Sequence, residues 1–143
     1  MPTRPIKITS ADTSDGSLQL SDRGHTIAEG GDTILWQIGN GSGVESITAI
    51  QEKPDSTNIF STAPHKKGRN WTGDIDPAAP PKAEYLYSIV WMAEDGSGPY
   101  TFDPKISIKP VGAPYTGKLL SGFLVVLAFP YAVFLRSKRL RKK

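Results

Sequence analysis

Cysteine is absent from the 143 residues, which excludes disulfide staples, thiolate metal sites and cysteine nucleophiles. Imidazole is scarce as well. His25 and His65 are the only two, and no carboxylate pattern sets them at metal-ligand spacing, so they read as loop histidines. A zinc or copper site using both has to be assembled by the fold alone. Helical periodicity of useful length is missing from residues 1–110. The N-terminal MPTRPIKITS has no apolar h-region behind its basic residues and is not read as a cleavable signal. Positive charge is also sparse over most of the chain. The formal charge is +3 and the sequence pI about 9.2, yet the first 117 residues hold 10 basic against 14 acidic side chains, a net of −4. A nucleic-acid-binding fold places a basic stripe on its own surface, so no nucleic-acid partner is expected.

What is present is a chain long enough for one domain with a real core, plus one appendage. Short apolar or alternating runs are separated by Gly, Pro, Asn and Asp, an all-β pattern. The expected strands are Ile6–Ser10, Ser17–Ser21, Asp32–Ile38, Glu45–Glu52, Trp71–Ile75, Glu84–Met92 and Tyr100–Ile108, spaced as a sandwich requires. Asp15-Gly16, Asn40-Gly41 and Asp95-Gly96 are dipeptides that tolerate positive φ and mark turns. The proline-rich Asp76–Lys82 reads as a connection. The organisation that follows is a β-sandwich over 1–110, a stiff linker over 111–117, a transmembrane helix over 118–136 and a basic tail over 137–143.

The run LLSGFLVVLAFPYAVFL, Leu119–Leu135, has no charge over 17 residues, the short end of what spans a hydrocarbon core about 30 Å thick. Leu119, Phe123, Leu127, Phe134 and Leu135 form the expected anchor. The alternative is a buried core helix, which suits less well a run apolar all round. Arg136, Lys138, Arg139, Arg141, Lys142 and Lys143 follow at once and are read as a patch against anionic head groups. The positive-inside rule puts this tail in the cytoplasm and the sandwich outside, as a single-pass membrane protein. A tail anchor with the sandwich in the cytoplasm is the opposite arrangement.

In EYLYSIVWMAEDG, Glu84–Gly96, the residues Tyr85, Tyr87, Ile89 and Trp91 point one way and Leu86, Ser88, Val90 and Met92 the other. Both sets are largely apolar, which predicts an interior strand covered on both faces. Among polar candidates, PHKKGRNW, Pro64–Trp71, is the one basic cluster of the acidic domain. It reads either as a contact for an anion or acidic partner through Lys66, Lys67, Arg69 and Trp71, or as a solvated loop whose charges keep a sheet edge from aggregating. Asp74 and Asp76 stand as paired carboxylates for acid/base chemistry, or as a turn before Pro77. The loop Ala93–Thr101 lacks the alternating acids of a calcium site and reads as a turn. Asn40-Gly41-Ser42 and Asn70-Trp71-Thr72 match the glycosylation acceptor pattern.

Three segments together resemble a cupredoxin: GDTILWQIGNGSGVES (Gly31–Ser46), NWTGDI (Asn70–Ile75), and EYLYSIVWMAEDG followed by YTFDPKISIKP. The resemblance covers Gly31 to about Pro110 and implies a Greek-key β-sandwich. It also implies where copper ligands stand in the metal-binding members: the first histidine falls near Glu45, the cysteine on Ile89, and the second histidine at or after Met92. A blue-copper centre needs two imidazoles and a thiolate, and none of the three is there. The expectation is a copper-free member without cofactor, metal or catalytic residues, with hydrocarbon filling the thiolate position. A non-enzymatic interaction or accessory domain on the lipid bilayer, with a protein partner in the membrane or envelope, is the function that follows. Two alternatives stand beside it: a small accessory subunit of a larger membrane complex, and metal handling through His25, His65, Met1 or Met92.

Overall fold

A computed structural model describes residues 2–110. The linker, the apolar run with its anchor residues, the basic tail and Met1 lie outside the described residues. Among those described, every regular element is a strand, and no helix is long and apolar enough to cross a membrane. In chain order the strands are β1 (Thr3–Ala11), β2 (Leu18–Leu20), β3 (His25–Ala28), β4 (Thr33–Ile38), β5 (Val44–Glu52), β6 (Phe60–Lys67), β7 (Asn70–Ile75), β8 (Glu84–Ala93), β9 (Tyr100–Phe102) and β10 (Lys105–Ile108). They build two mixed sheets. One runs β2-β1-β4-β7-β6; the other runs β3-β10-β8-β5, with β9 also on β8. Parallel pairing joins β1 to β4 and β3 to β10, and the remaining pairs are antiparallel.

Alternation in sequence becomes burial of one face. Ile6 and Ile8 on β1, Ile34 and Trp36 on β4, and Tyr85, Tyr87, Ile89 and Trp91 on β8 meet in one core. Trp36 donates from Nε1 to the Tyr87 hydroxyl at 3.0 Å across the two sheets, with their rings edge to face. Two polar atoms that burial would otherwise penalise thus satisfy each other. Trp91 donates from Nε1 to the Gly16 carbonyl at 3.0 Å. Gly16 has φ +82°, and a Cβ there would press on Tyr100, so the Asp15-Gly16 turn is required twice over.

Four expectations are corrected. First, β3 and β6 are strands where loops were expected, and Pro64–Trp71 is the tip of a β6–β7 hairpin. Second, Tyr100–Ile108 is broken into β9 and β10 at Asp103-Pro104. Pro104 has no N–H for the ladder and is itself buried. Third, β8 is interior within its sheet, but only its odd-numbered face is buried; Leu86, Ser88, Val90 and Met92 are half-exposed. Fourth, His25 and His65 sit on strands, not loops.

Registers give the domain two poles. Thr3, Thr33 and Asp74 lie level with one another, as do Ile8 and Ile38 at the far end. The chain leaves β10 at the first pole, where the Lys109 N–H donates to the Ala28 carbonyl at 2.9 Å. The turns Asp12–Ser17, Gly39–Gly43, the hairpin tip at Gly68 and the loop after Ala93 gather at the other, distal pole.

Candidate functional site

The hairpin tip is built by pairing Lys66 with Trp71 and Lys67 with Asn70. Lys66 and Lys67 are exposed on β6, the edge strand of its sheet, and no carboxylate pairs with either among the described residues. Arg69 and Trp71, expected beside them as partner contacts, also reach across to β5, Arg69 while remaining exposed and Trp71 half-buried. Arg69 donates from Nη2 to the carbonyls of Val44 at 3.3 Å and Glu45 at 2.9 Å, while Trp71 donates from Nε1 to the Ile47 carbonyl at 3.0 Å. These two side chains cap the free edge of β5. Among the three exposed cations of the site, Lys66 and Lys67 are the ones whose side chains have no partner among the described residues, and the β6 edge that carries them has Pro64 and two register breaks, the devices that keep an edge from pairing with another chain.

The three positions matched to copper ligands do not converge. Ile89 is fully buried on the inner face of β8, level with Ile50 and Phe102. Met92 lies on the opposite, outer face, and Glu45 is exposed where the register shifts between Val44 and Ser46. No group of three or more histidine, cysteine or acidic side chains that could hold a metal occurs among the described residues. The histidines stand on opposite flanks of the sandwich, since Trp71 lays β7 over β5 and His25 belongs to the far edge strand. His65 Nδ1 is 2.9 Å from the Ala63 carbonyl.

His25 Nε2 lies 2.7 Å from Ser107 Oγ on the outer face of its sheet. Ser107 donates to Glu84 Oε2 at 3.4 Å, and Lys105 Nζ reaches the same oxygen at 3.1 Å. The Lys105 hydrogen bond and charge hold the Glu84 carboxyl below the usual carboxylate range. Asp74 and Asp76 are separated in role: Asp74 accepts from the Thr33 hydroxyl at 2.8 Å, and Asp76 accepts from the Ala78 N–H at 2.8 Å in a turn around Pro77. Asp95 accepts from the N–H and hydroxyl of Ser97, which keep its carboxyl acidic. In the Asn70-Trp71-Thr72 triplet, Asn70 accepts from the Ile38 N–H and Thr72 donates to the Ile34 carbonyl.

At the exit pole lies a cluster that sequence reasoning did not assemble. Asp32 is buried; Arg4 Nε approaches its Oδ2 at 2.7 Å and the Glu29 N–H donates to the same oxygen at 2.9 Å. Glu29 in turn meets Arg4 Nη2 at 3.5 Å and Lys109 Nζ at 3.3 Å. The start of β1, the β3–β4 turn and the end of β10 are tied together there. Nothing in the sequence signals this, because the four residues are up to 105 positions apart. No protein-family model matches the chain, and no curated protein matches it in sequence.

Proposed function

We propose that this chain is a membrane-anchored, non-enzymatic interaction domain of the copper-free cupredoxin-like kind, meeting an acidic protein partner through Lys66 and Lys67. The observation that carries the reading is the opposition of the two poles. The chain runs on towards its apolar segment from one pole, while the exposed cations occupy the hairpin at the other. Lys66 and Lys67 thus lie at the pole opposite the one where the described residues end. Two mixed sheets around one core agree with a cupredoxin-like sandwich, and Ile89 fills the thiolate position with hydrocarbon. Charge complementarity favours an acidic partner, because fixed complementary charge chiefly steers association and selects the partner.

The test is a Lys66→Glu, Lys67→Glu double substitution in the full chain, solubilised from membranes in mild detergent and followed on native gels. Loss of a higher-mass complex, with the monomer fold intact by circular dichroism, is the expected result. Unchanged migration removes the hairpin from the partner contact. Labelling of Ser97→Cys by an impermeant reagent in intact cells is expected, placing the distal pole outside. Labelling only after lysis places it in the cytoplasm.

A further inference from the structure

The triplet Asn40-Gly41-Ser42 is not used by the hairpin, and its chemistry is distinct. We infer that Asn40-Gly41 is a site of spontaneous backbone modification, converting to aspartate and isoaspartate through a succinimide. The Gly41 backbone nitrogen attacks the Asn40 side-chain carbonyl carbon and forms the new C–N bond. The bond to the amide nitrogen breaks, and ammonia leaves carrying the proton that the attacking nitrogen loses. Water then opens the ring at either carbonyl. Opening at one gives aspartate; opening at the other passes the main chain through the former side chain.

Geometry separates this asparagine from the other two. Asn58 accepts from the Phe60 N–H at 3.1 Å and is followed by the fully buried, β-branched Ile59. Asn70 accepts from the Ile38 N–H at 3.1 Å and is followed by Trp71. Asn40 and Gly41 are both exposed. Neither the Asn40 side chain nor the Gly41 N–H has a hydrogen-bond partner among the described residues. Gly41 has φ +74°, with open space within 4 Å of where a Cβ would stand, so no side chain shields its nitrogen and the backbone can swing towards the attack geometry. The turn itself is closed by one bond, from the Ser42 N–H to the Gly39 carbonyl at 3.2 Å.

Both ends of the turn are held. A Cβ on Gly39 would collide with the Ile8 carbonyl, and Ser42 is buried with its hydroxyl accepting from the Val44 N–H at 3.3 Å. The reaction is thereby confined to the tip, where it adds one negative charge next to the start of β5 that Arg69 holds and leaves the sandwich folded.

The experiment incubates the full chain in mildly alkaline buffer at body temperature, then maps peptides by mass spectrometry and labels isoaspartate with a specific carboxyl methyltransferase. The expected result is an acid-for-amide mass change at Asn40, resolved into two isomers, while Asn58 and Asn70 keep their amides. Asn40→Gln, whose ring closure is slower, should lower methyl labelling by at least an order of magnitude with an unchanged circular dichroism spectrum. Persistence of the Asn40 amide over a period in which the denatured chain converts overturns the inference. So does conversion of all three asparagines at one rate.

Discussion

Ile89 is where the resemblance and the packing can be told apart. It is fully buried between Ile50 and Phe102 in register, so the position is a core site with neighbours on both sides. Truncation there removes transfer free energy and leaves a cavity. Ile89→Ala is expected to destabilise the domain by about 2–5 kcal/mol in denaturant unfolding. A loss near zero would mean the strand tolerates a hole at this position. Tyrosines supply a second residue-level test. Burial, with Glu52 nearby, pushes the Tyr85 phenol up to about 12, and burial drives Tyr87 higher still. A phenol whose folded value exceeds its unfolded value near 10 contributes stability that is whole below that unfolded value. The contribution is lost as pH rises through the folded one. Tyr85 and Tyr87 should therefore ionise only above the ordinary phenol range, together with the loss of tryptophan fluorescence that reports unfolding. Phenolate absorbance against pH measures it, and a single step near 10 with the fold intact would contradict the burial.

Two side chains from one sheet close the edge of the other. Arg69 and Trp71 leave β7 and its turn to meet the carbonyls of Val44, Glu45 and Ile47 on β5. Removing both should cost about 1.5–4.5 kcal/mol, at roughly 0.5–1.5 kcal/mol for each of the three lost hydrogen bonds. It should also expose a nine-residue edge that lacks lysine and proline. Arg69→Ala with Trp71→Phe is expected to self-associate in sedimentation velocity, with Lys66→Glu, Lys67→Glu remaining monomeric. Equal behaviour of the two variants would show that the cap does not guard β5. These two residues also mark how far the sequence could be read. PHKKGRNW announces a basic cluster, and that much is local. That Arg69 and Trp71 bond to carbonyls depends on β5, 24 or 25 positions away. The same distinction explains the strands. The runs that became β4, β5 and β8 carry alternation or apolar density and are legible alone. In β6, FSTAPHKK has one buried residue, Phe60, and is a strand because β7 pairs with it. In β3, HTIA is short and owes its conformation to β10.

At the scale of the chain, charge and structure divide at the same place. Residues 1–110 hold 10 basic and 14 acidic side chains, and the remaining seven cations follow. The compact unit covers Met1–Lys109, and its termini are held at one pole by the ion pairs of Arg4, Glu29, Asp32 and Lys109. A single core shared by two sheets predicts one cooperative transition for a fragment ending at Pro110. Its calorimetric enthalpy should be roughly 75 kcal/mol in the usual melting range. Mixed sheets built from long-range pairs should make it fold in milliseconds to seconds, as high-contact-order β domains do. The fragment should also reverse the ion-exchange behaviour of the full chain at neutral pH: a net of −4 binds an anion exchanger, whereas the whole chain, at +3, binds a cation exchanger in detergent. Glu29→Gln in the fragment tests whether the clamp matters to this unit. Its pairs are half-exposed, so the expected loss is under about 1 kcal/mol. Asp32→Ala leaves Arg4 facing a buried gap and strips the Glu29 N–H of its acceptor, and a loss of about 2–4 kcal/mol is expected. If the two substitutions cost the same, the anchoring of the exit pole rests on the surface charges and not on the buried carboxylate.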